Sequence, residues 1–206
     1  MKKLRVLYHS SIKISDKINI YIDPFKITSS LYDADFIFIT HSHYDHYSPE
    51  DIQKIKNEKT VIVAPENMKA EIKYDNVFYV MPNKKYEING LSFETVSAYN
   101  IEKKFHPKEM GGVGYIIELN GTRYYIAGDT DINEDNIKVS CDTALIPVGG
   151  TYTMNFKEAA ELVNKIMPET AIPTHFGSIA GEMTDGESFK ALVKSQIKCE
   201  IITEEY

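Results

Sequence analysis

The chain has 206 residues, of which 43% are hydrophobic and 26% are charged, and these values are ordinary for a globular protein. This length suits one compact domain over residues 1–206. The formal net charge of -7 disfavours nucleic acid as a partner, because an acidic surface repels the phosphate backbone. The composition therefore favours a small-molecule substrate and leaves the oligomeric state open.

The few cysteines and the N-terminal residues bear on localisation. Cys141 and Cys199 are far apart in sequence and form no CxxC pair, so they do not indicate a disulfide framework. The first residues carry Arg5, Lys13 and Asp16, and no apolar run follows that is typical of a signal peptide or membrane span. We therefore expect a cytoplasmic protein without a membrane partner.

Short segments rich in Val, Ile, Tyr and Phe alternate with turn residues along the chain and are predicted strands. Asn89-Gly90 and Asn120-Gly121 are predicted hairpin turns. The predicted strands are 18–22, 36–40, 60–63, 77–81, 91–97, 114–119, 123–127, 143–148, 170–173 and 200–203.

Helices are fewer than strands. Ser48 is a predicted N-cap followed by Pro49, and further helices begin at Asn155 and at about Asp185. Strand pairs are mixed with strand–helix alternation, which favours an α+β fold with sheets packed together and helices outside.

Three histidines and one aspartate lie within six residues, directly after a predicted strand, in His41-Ser42-His43-Tyr44-Asp45-His46. In an extended backbone His41, His43 and Asp45 project to one side, and a following bend turns His46 back toward them. Imidazole nitrogen and carboxylate oxygen are ligands that suit zinc and similar ions. The alternative is a solvated loop that caps a helix. The density of imidazoles at a strand end favours one or two divalent ions, with zinc ahead of manganese or iron.

Two distant segments offer further ligands. Asp129 ends a predicted strand, and Gly128 before it allows close backbone approach. His175 ends another buried strand. Taken alone, Asp129 is more typical of a turn and His175 of a satisfied rim histidine. Each becomes a candidate ligand because the first motif needs partners.

These segments resemble a known family. Together with Ala127-Gly128-Asp129-Thr130 and Pro173-Thr174-His175-Phe176-Gly177, the first motif is similar to the ordered motifs of the metallo-β-lactamase superfamily. Tyr8-His9-Ser10-Ser11 and Tyr21-Ile22-Asp23-Pro24-Phe25 resemble the ascorbate-6-phosphate lactonase branch. The resemblance covers nearly the whole chain and implies a four-layer αββα sandwich with metals at one edge of the two sheets.

The resemblance also implies a set of site residues. Asp23 is implied to orient ligands rather than bind metal, with a turn carboxylate before Pro24 as the alternative. Asp45 is implied to hold a metal and to orient the nucleophile, as the catalytic carboxylate. The implied ligands are His41 and His43 for one site, Asp45, His46 and His175 for the other, and Asp129 for both.

One position departs from the family pattern. The family places a third histidine of the first site where this chain has Asn100, and an amide oxygen is a weak zinc ligand. His106 lies close by in sequence and is a candidate replacement. A substrate contact or a solvent-facing loop is the alternative for His106.

The segment between Pro147 and Asn155 carries two glycines and leads into a predicted helix. Backbone N–H groups at a helix N-terminus bind anions, so a phosphate or carboxylate site with Tyr152 as a contact is one interpretation. A plain strand-to-helix turn is the other, and the sequence favours it.

The implied activity is hydrolysis of an ester, lactone, amide or phosphodiester bond by water activated at the metals. No GxSxG or Cys/His arrangement offers a protein nucleophile. A nuclease or phosphodiesterase of the same superfamily is the alternative enzyme, which the acidic charge disfavours. A non-catalytic metal-binding interaction protein, with its first site eroded at Asn100, is the third hypothesis.

Overall fold

The computed structural model describes residues 3–202, which form two compact units. The first unit contains the described residues up to Val80 together with Ile202, and the second is Met81–Ile201. Each unit contains one mixed β-sheet. Within residues 3–202, no helix is long and apolar enough to span a membrane.

The first unit is built on a six-stranded sheet whose strands are hydrogen-bonded in chain order. Its strands are β1 (Lys3–Tyr8), β2 (Ser11–Ser15), β3 (Asn19–Ile22), β4 (Phe36–Phe38), β5 (Val61–Pro65) and β6 (Val77–Val80). β2 is antiparallel to β1 and to β3, whereas the pairs from β3 to β6 are parallel.

Helix α1 (Pro49–Ile55) follows β4 in the chain and packs on this sheet. It begins as the sequence predicts, because Ser48 accepts a hydrogen bond from the Asp51 N–H and Pro49 occupies the first turn. Ile52 and Ile55 are completely buried in an apolar cluster with Ile37 of β4. Burying each isoleucine stabilises the fold by roughly 1.5–3 kcal/mol. A short 3₁₀ helix, Glu66–Ala70, follows β5.

The second unit is built on a seven-stranded sheet that also follows chain order. Its strands are β7 (Lys85–Ile88), β8 (Leu91–Ser97), β9 (Val113–Leu119), β10 (Thr122–Ile126), β11 (Thr143–Pro147), β12 (Thr170–Thr174) and β13 (Lys198–Cys199). The pairs from β7 to β10 are antiparallel and those from β10 to β13 are parallel.

Two helices, α2 (Phe156–Ile166) and α3 (Asp185–Leu192), cover the parallel part of this sheet. Leu162 and Val163 of α2 and Phe189 of α3 are completely buried in one apolar cluster with β11. Short 3₁₀ helices lie at Lys108–Met110 and Asn136–Lys138.

The predicted elements agree with most of this arrangement. Both predicted hairpin turns join antiparallel strands, and the three helices begin where the sequence indicates. The strands β1, β2 and β7 were not predicted. The predicted strand at 200–203 is wrong for residues 200–202, which lie outside any strand, and Thr203 lies outside the described residues. The last strand falls earlier, at β13, because Lys198 and Cys199 pair with the start of β12.

Strand direction explains where polar side chains collect in each unit. β1 runs in the same direction as β3 and β4, so the segments that follow these three strands lie at one edge of the first sheet. In the second sheet, β8 runs in the same direction as β10, β11 and β12. The carboxyl ends of such strands are where open α/β sheets bind ligands.

Candidate metal centre

The segment after β4 carries three of the predicted ligands in a tight turn. His46 and Tyr47 both donate main-chain hydrogen bonds to the His43 carbonyl oxygen, at 3.0 and 2.8 Å. The prediction of an extended backbone over His41, His43 and Asp45 is therefore wrong, although the predicted bend that returns His46 is present. His41 Nε2 lies 3.1 Å from His43 Nδ1. The bent backbone therefore brings the imidazoles of His41 and His43 together, which a continuous extended strand would not do.

Asp23 orients His46 within the first unit. Its carboxylate lies 2.7 Å from His46 Nδ1 and accepts hydrogen bonds from the Thr40 N–H and hydroxyl at 2.8 and 2.6 Å. Burial raises the pKa of the Asp23 carboxyl, and the charge and hydrogen bond of His46 and the hydrogen bonds from Thr40 oppose the rise. Since the carboxylate accepts from Nδ1, Nε2 of the neutral His46 imidazole carries the lone pair. This is the arrangement typical of a metal-binding histidine.

Asp45 lies next to two imidazoles of the same unit. Its Oδ2 atom is 3.5 Å from His46 Nε2 and 3.6 Å from His9 Nε2. Asp45 and His46 are buried, and the His9 side chain is completely buried. We call His9, Asp23, His41, His43, Asp45 and His46 the first cluster.

Asp129 is the centre of the second unit's polar group. Its Oδ2 atom lies 3.1 Å from His175 Nε2 and 3.4 Å from His106 Nε2, and the side chains of all three residues are at most 4% exposed. His106 and His175 both have left-handed backbones, with φ of 56° and 57°. Such strain in a non-glycine residue is frequent at functional sites. We call Asn100, His106, Asp129 and His175 the second cluster.

The donor spacing in both clusters fits ligands that share a cation. Ligands bound about 2.0–2.2 Å from an ion, at angles of about 90–120°, lie about 2.8–3.8 Å from one another. The separations from Asp45 Oδ2 to His46 and from Asp129 Oδ2 to His106 and His175 all fall in this range. Buried imidazole and carboxylate donors at this spacing suit zinc, manganese or iron.

A backbone carbonyl fixes the tautomer of His106. The Tyr152 main-chain oxygen lies 3.1 Å from His106 Nδ1, and since a carbonyl oxygen only accepts, Nδ1 carries the proton. The lone pair of the neutral imidazole is then on Nε2, which faces Asp129. Sequence reasoning missed this role for the Tyr152 main chain, and no local pattern signals it. The Tyr152 ring packs edge-on against the Phe105 ring, with the two ring centroids 4.9 Å apart.

Asn100 supports the loop that carries His106. Its Nδ2 donates to the main-chain oxygens of Phe105 and Tyr152 at 2.8 and 2.7 Å, which fixes the orientation of the amide. Its main-chain N–H donates to the His106 oxygen. Asn100 is 5% exposed, and Oδ1 has no hydrogen-bond partner among residues 3–202. The side chain therefore both holds the loop and presents a buried carbonyl oxygen.

The glycine loop before α2 is a capped turn. Asn155 Oδ1 accepts from the N–H groups of Lys157 and Glu158, and the Glu158 carboxylate accepts from the Asn155 N–H. These hydrogen bonds occupy the backbone N–H groups of Asn155, Lys157 and Glu158, which a bound anion would need. Gly149 has a different purpose, because a Cβ at this position would lie 2.2 Å from the His175 main-chain oxygen. The glycine allows the loop to approach the backbone of a candidate ligand.

Every histidine of the chain belongs to one of the two clusters. The sequence contains six, and five of them are predicted site residues. His9 is not among these five, although its segment contributes to the family resemblance. A buried histidine in a two-residue turn between β1 and β2 is the structural signal that identifies it.

Comparison with known proteins places the chain in a family. The family model described as "Beta-lactamase superfamily domain" matches residues 3–175. A UPF0173 metal-dependent hydrolase of Thermococcus onnurineus is 31% identical over an alignment that covers 98% of this chain and 96% of the relative. These matches confirm the predicted superfamily, whereas the ascorbate-6-phosphate lactonase branch remains a prediction.

Solved structures agree with the predicted fold. A protein of Parabacteroides distasonis described as a metal-dependent hydrolase has a TM-score of 0.87 at 30% identity, and the alignment covers 99% of this chain and 94% of that one. Igni18, a metallo hydrolase of Ignicoccus hospitalis, has a TM-score of 0.81 at 22% identity and 100% and 96% coverage, which supports the fold alone. The α+β class and the metallo-β-lactamase fold are thus confirmed. The chain belongs to the UPF0173 metal-dependent hydrolases of the β-lactamase superfamily.

Proposed function

We propose that this protein is a single hydrolase domain that uses water to cleave an ester, lactone, amide or phosphodiester bond of a small substrate. The observation that carries the proposal is the position of Asp129 Oδ2, which lies 3.1 Å from His175 Nε2 and 3.4 Å from His106 Nε2. Three buried donors at ligand spacing are costly to fold unless a cation neutralises and binds them. The full-length match to metal-dependent hydrolases supports the same conclusion.

Each of the two clusters contains proposed ligands. His106 takes the place of the family histidine that is absent at Asn100, because its Nε2 atom faces Asp129. Asn100 Oδ1 is then a candidate contact for the bound substrate. The proposed metal ligands are His41, His43, Asp45, His46, His106, Asp129 and His175.

These residues would hold one or two divalent ions, which would supply an activated water with a pKa near about 7 and would stabilise negative charge on the attacked oxygen. The protein's residues prepare this chemistry. Asp23 and the Tyr152 carbonyl hold the Nδ1 protons of His46 and His106, which keeps each Nε2 lone pair available. Asp45 is the proposed carboxylate that also orients the attacking water.

A protein nucleophile is disfavoured by the state of the thiols. Burial raises the pKa of Cys141 to about 12 and that of Cys199 to about 11, so both are neutral thiols at pH 7. Water is the nucleophile that the two clusters best support. The two dispersed, reduced cysteines also support the proposed cytoplasmic location.

The test combines metal content with turnover. Protein purified without added metal is assayed by elemental analysis and against chromogenic ester, lactone, amide and phosphodiester substrates. We expect one or two divalent ions per chain and hydrolysis of one substrate class. Asp129→Asn should lose the bound metal and the hydrolysis. Glu134→Gln, an exposed carboxylate of the same unit, is the matched control and should behave as wild type.

Four further results sharpen this test. His106→Ala should lose metal, and chelator should abolish hydrolysis until metal is restored. Strongly salt-dependent cleavage of RNA would instead favour the nuclease alternative. Metal binding without turnover of any of the four bond classes would contradict the proposed function and favour the non-catalytic alternative.

A further inference from the structure

His9 occupies a turn position that disfavours its residue type. Tyr8 of β1 pairs with Ser11 of β2, so His9 and Ser10 form a two-residue turn. His9 has a φ of 55°, in the left-handed region that glycine and asparagine adopt most readily. A sequence selected for the turn alone would place glycine or asparagine here. The turn geometry by itself therefore does not account for a histidine at this position.

The His9 imidazole is buried, whereas side chains of turns normally face solvent. Its side chain is 0% exposed, and Nε2 lies 3.6 Å from Asp45 Oδ2. The same oxygen is 3.5 Å from His46 Nε2. A separation of 3.6 Å is too long for a hydrogen bond but lies within the range of about 2.8–3.8 Å for two ligands of one ion.

The turn lies beside the segment that carries Asp23. The Phe25 N–H donates to Ser11 Oγ at 3.2 Å, and the Tyr8 and Phe25 rings pack with centroids 5.9 Å apart. Asp23 in turn orients His46. The strained turn, the orienting carboxylate and Asp45 are thus parts of one connected structure in the first unit.

We propose that His9 is a metal ligand, which binds through Nε2 the ion that Asp45 holds. This inference rests on the proposed function and adds a nitrogen donor that the motifs of residues 41–46, 127–130 and 173–177 do not contain. An extra imidazole at this ion raises its coordination number and leaves fewer positions for water and substrate.

The test uses His9→Asn, because asparagine tolerates a positive φ and is too short to reach the ion. Metal-free protein is titrated with zinc against a chromophoric chelator, and the cobalt-substituted protein is examined by visible absorption. We expect at least a tenfold loss of zinc affinity and a changed cobalt spectrum in His9→Asn. Ser10→Ala, in the same turn, is the matched control and should bind zinc as the wild type does. Unchanged melting temperatures of the metal-free proteins show that the fold is retained.

Two results would overturn the proposal. Zinc affinity within twofold of wild type means that His9 contributes nothing to binding. Weaker binding with an unchanged cobalt spectrum means that His9 acts only by positioning Asp45. If His9→Asn does not fold, the wild-type protein labelled with ¹⁵N-histidine decides the question, since His9 Nε2 either acquires the shift of a metal-bound nitrogen or does not.

The same experiments separate this inference from the proposed function. Wild-type protein that binds no zinc, manganese or iron overturns both. Wild-type protein that binds zinc and hydrolyses a substrate, with His9→Asn unchanged in zinc binding, overturns only the assignment of His9.

Discussion

The Asp23 carboxylate lies 2.7 Å from Nδ1 of His46 and fixes which imidazole nitrogen carries the proton. The same carboxylate accepts two hydrogen bonds from Thr40, the residue before the histidine-rich turn. One aspartate therefore orients both a candidate ligand and the start of the segment that carries it.

This relationship predicts the effect of Asp23→Asn. An amide keeps the size of the side chain but removes the negative charge that holds the His46 Nδ1 proton. We expect metal affinity to fall about 10–100-fold, as for other residues that orient metal-binding histidines. Competition with a chelator measures the loss. Asp75→Asn, an exposed aspartate of the same unit, is the control, and equal affinities of the two variants would contradict this role.

Asn100 should contribute to stability through its amide N–H groups. Asn100→Ala leaves the part-buried main-chain oxygens of Phe105 and Tyr152 without these donors, and we expect unfolding free energy to fall by about 1–3 kcal/mol. Asn100→Asp should be less stable still, because a carboxylate would face the two carbonyl oxygens. Urea unfolding of the metal-free proteins measures both. Asn120→Asp, in an exposed hairpin turn, should remain close to wild type, and a similar result for the Asn100 variants would show that these contacts are unimportant.

Gly149 should tolerate no side chain. Because an added Cβ would lie 2.2 Å from the His175 main-chain oxygen, Gly149→Ala must displace the backbone of a candidate ligand. We expect a loss of about 1–3 kcal/mol in unfolding free energy, together with weaker metal binding. Calorimetry and metal titration test the two effects. Gly121→Asn is the control, since Gly121 has a φ of 74° and open space around it, and asparagine tolerates such a backbone. A fully stable, metal-binding Gly149→Ala protein would contradict the structure at this point.

Asp51 should make the free energy of unfolding depend on pH in the acid range. Burial of the Asp51 carboxyl raises its pKa, but hydrogen bonds from Lys54, Ser48 and the Lys26 N–H outweigh that effect and hold the pKa below its ordinary value. A lowered folded-state pKa contributes stability above the ordinary value of about 3.9, and this contribution is lost as the pH falls through the folded pKa.

We therefore expect Asp51→Asn to be less stable than wild type near neutral pH, with the difference shrinking below about pH 4. Urea unfolding of metal-free protein between about pH 2 and pH 7 measures this convergence. Asp75→Asn should run parallel to wild type over the same range. A difference that stays constant with pH would show that the charge of Asp51 has no part in stability.

The sequence predicts those structural elements that depend on residues close together in the chain. Ser48 with Pro49 predicts the start of α1, and Asn89-Gly90 predicts the turn between β7 and β8, because caps and turns depend on neighbouring residues. β2 was missed because Lys13 interrupts its apolar pattern. Its ammonium is buried against Asp33 at 2.7 Å, a partner twenty residues away.

The sequence by itself determined the ligand chemistry of each of the two clusters. His41, His43, Asp45 and His46 lie in one short motif, and Asp129 and His175 each follow a buried strand, so ligand type and strand-end position are both local properties. Only the tertiary structure decided which further groups join them. His9 approaches Asp45 because β1 and β4 run in the same direction, and His106 rather than Asn100 faces Asp129 because the Tyr152 carbonyl holds its other nitrogen. These contacts depend on strand direction and on distant main-chain acceptors, which no short stretch of sequence specifies.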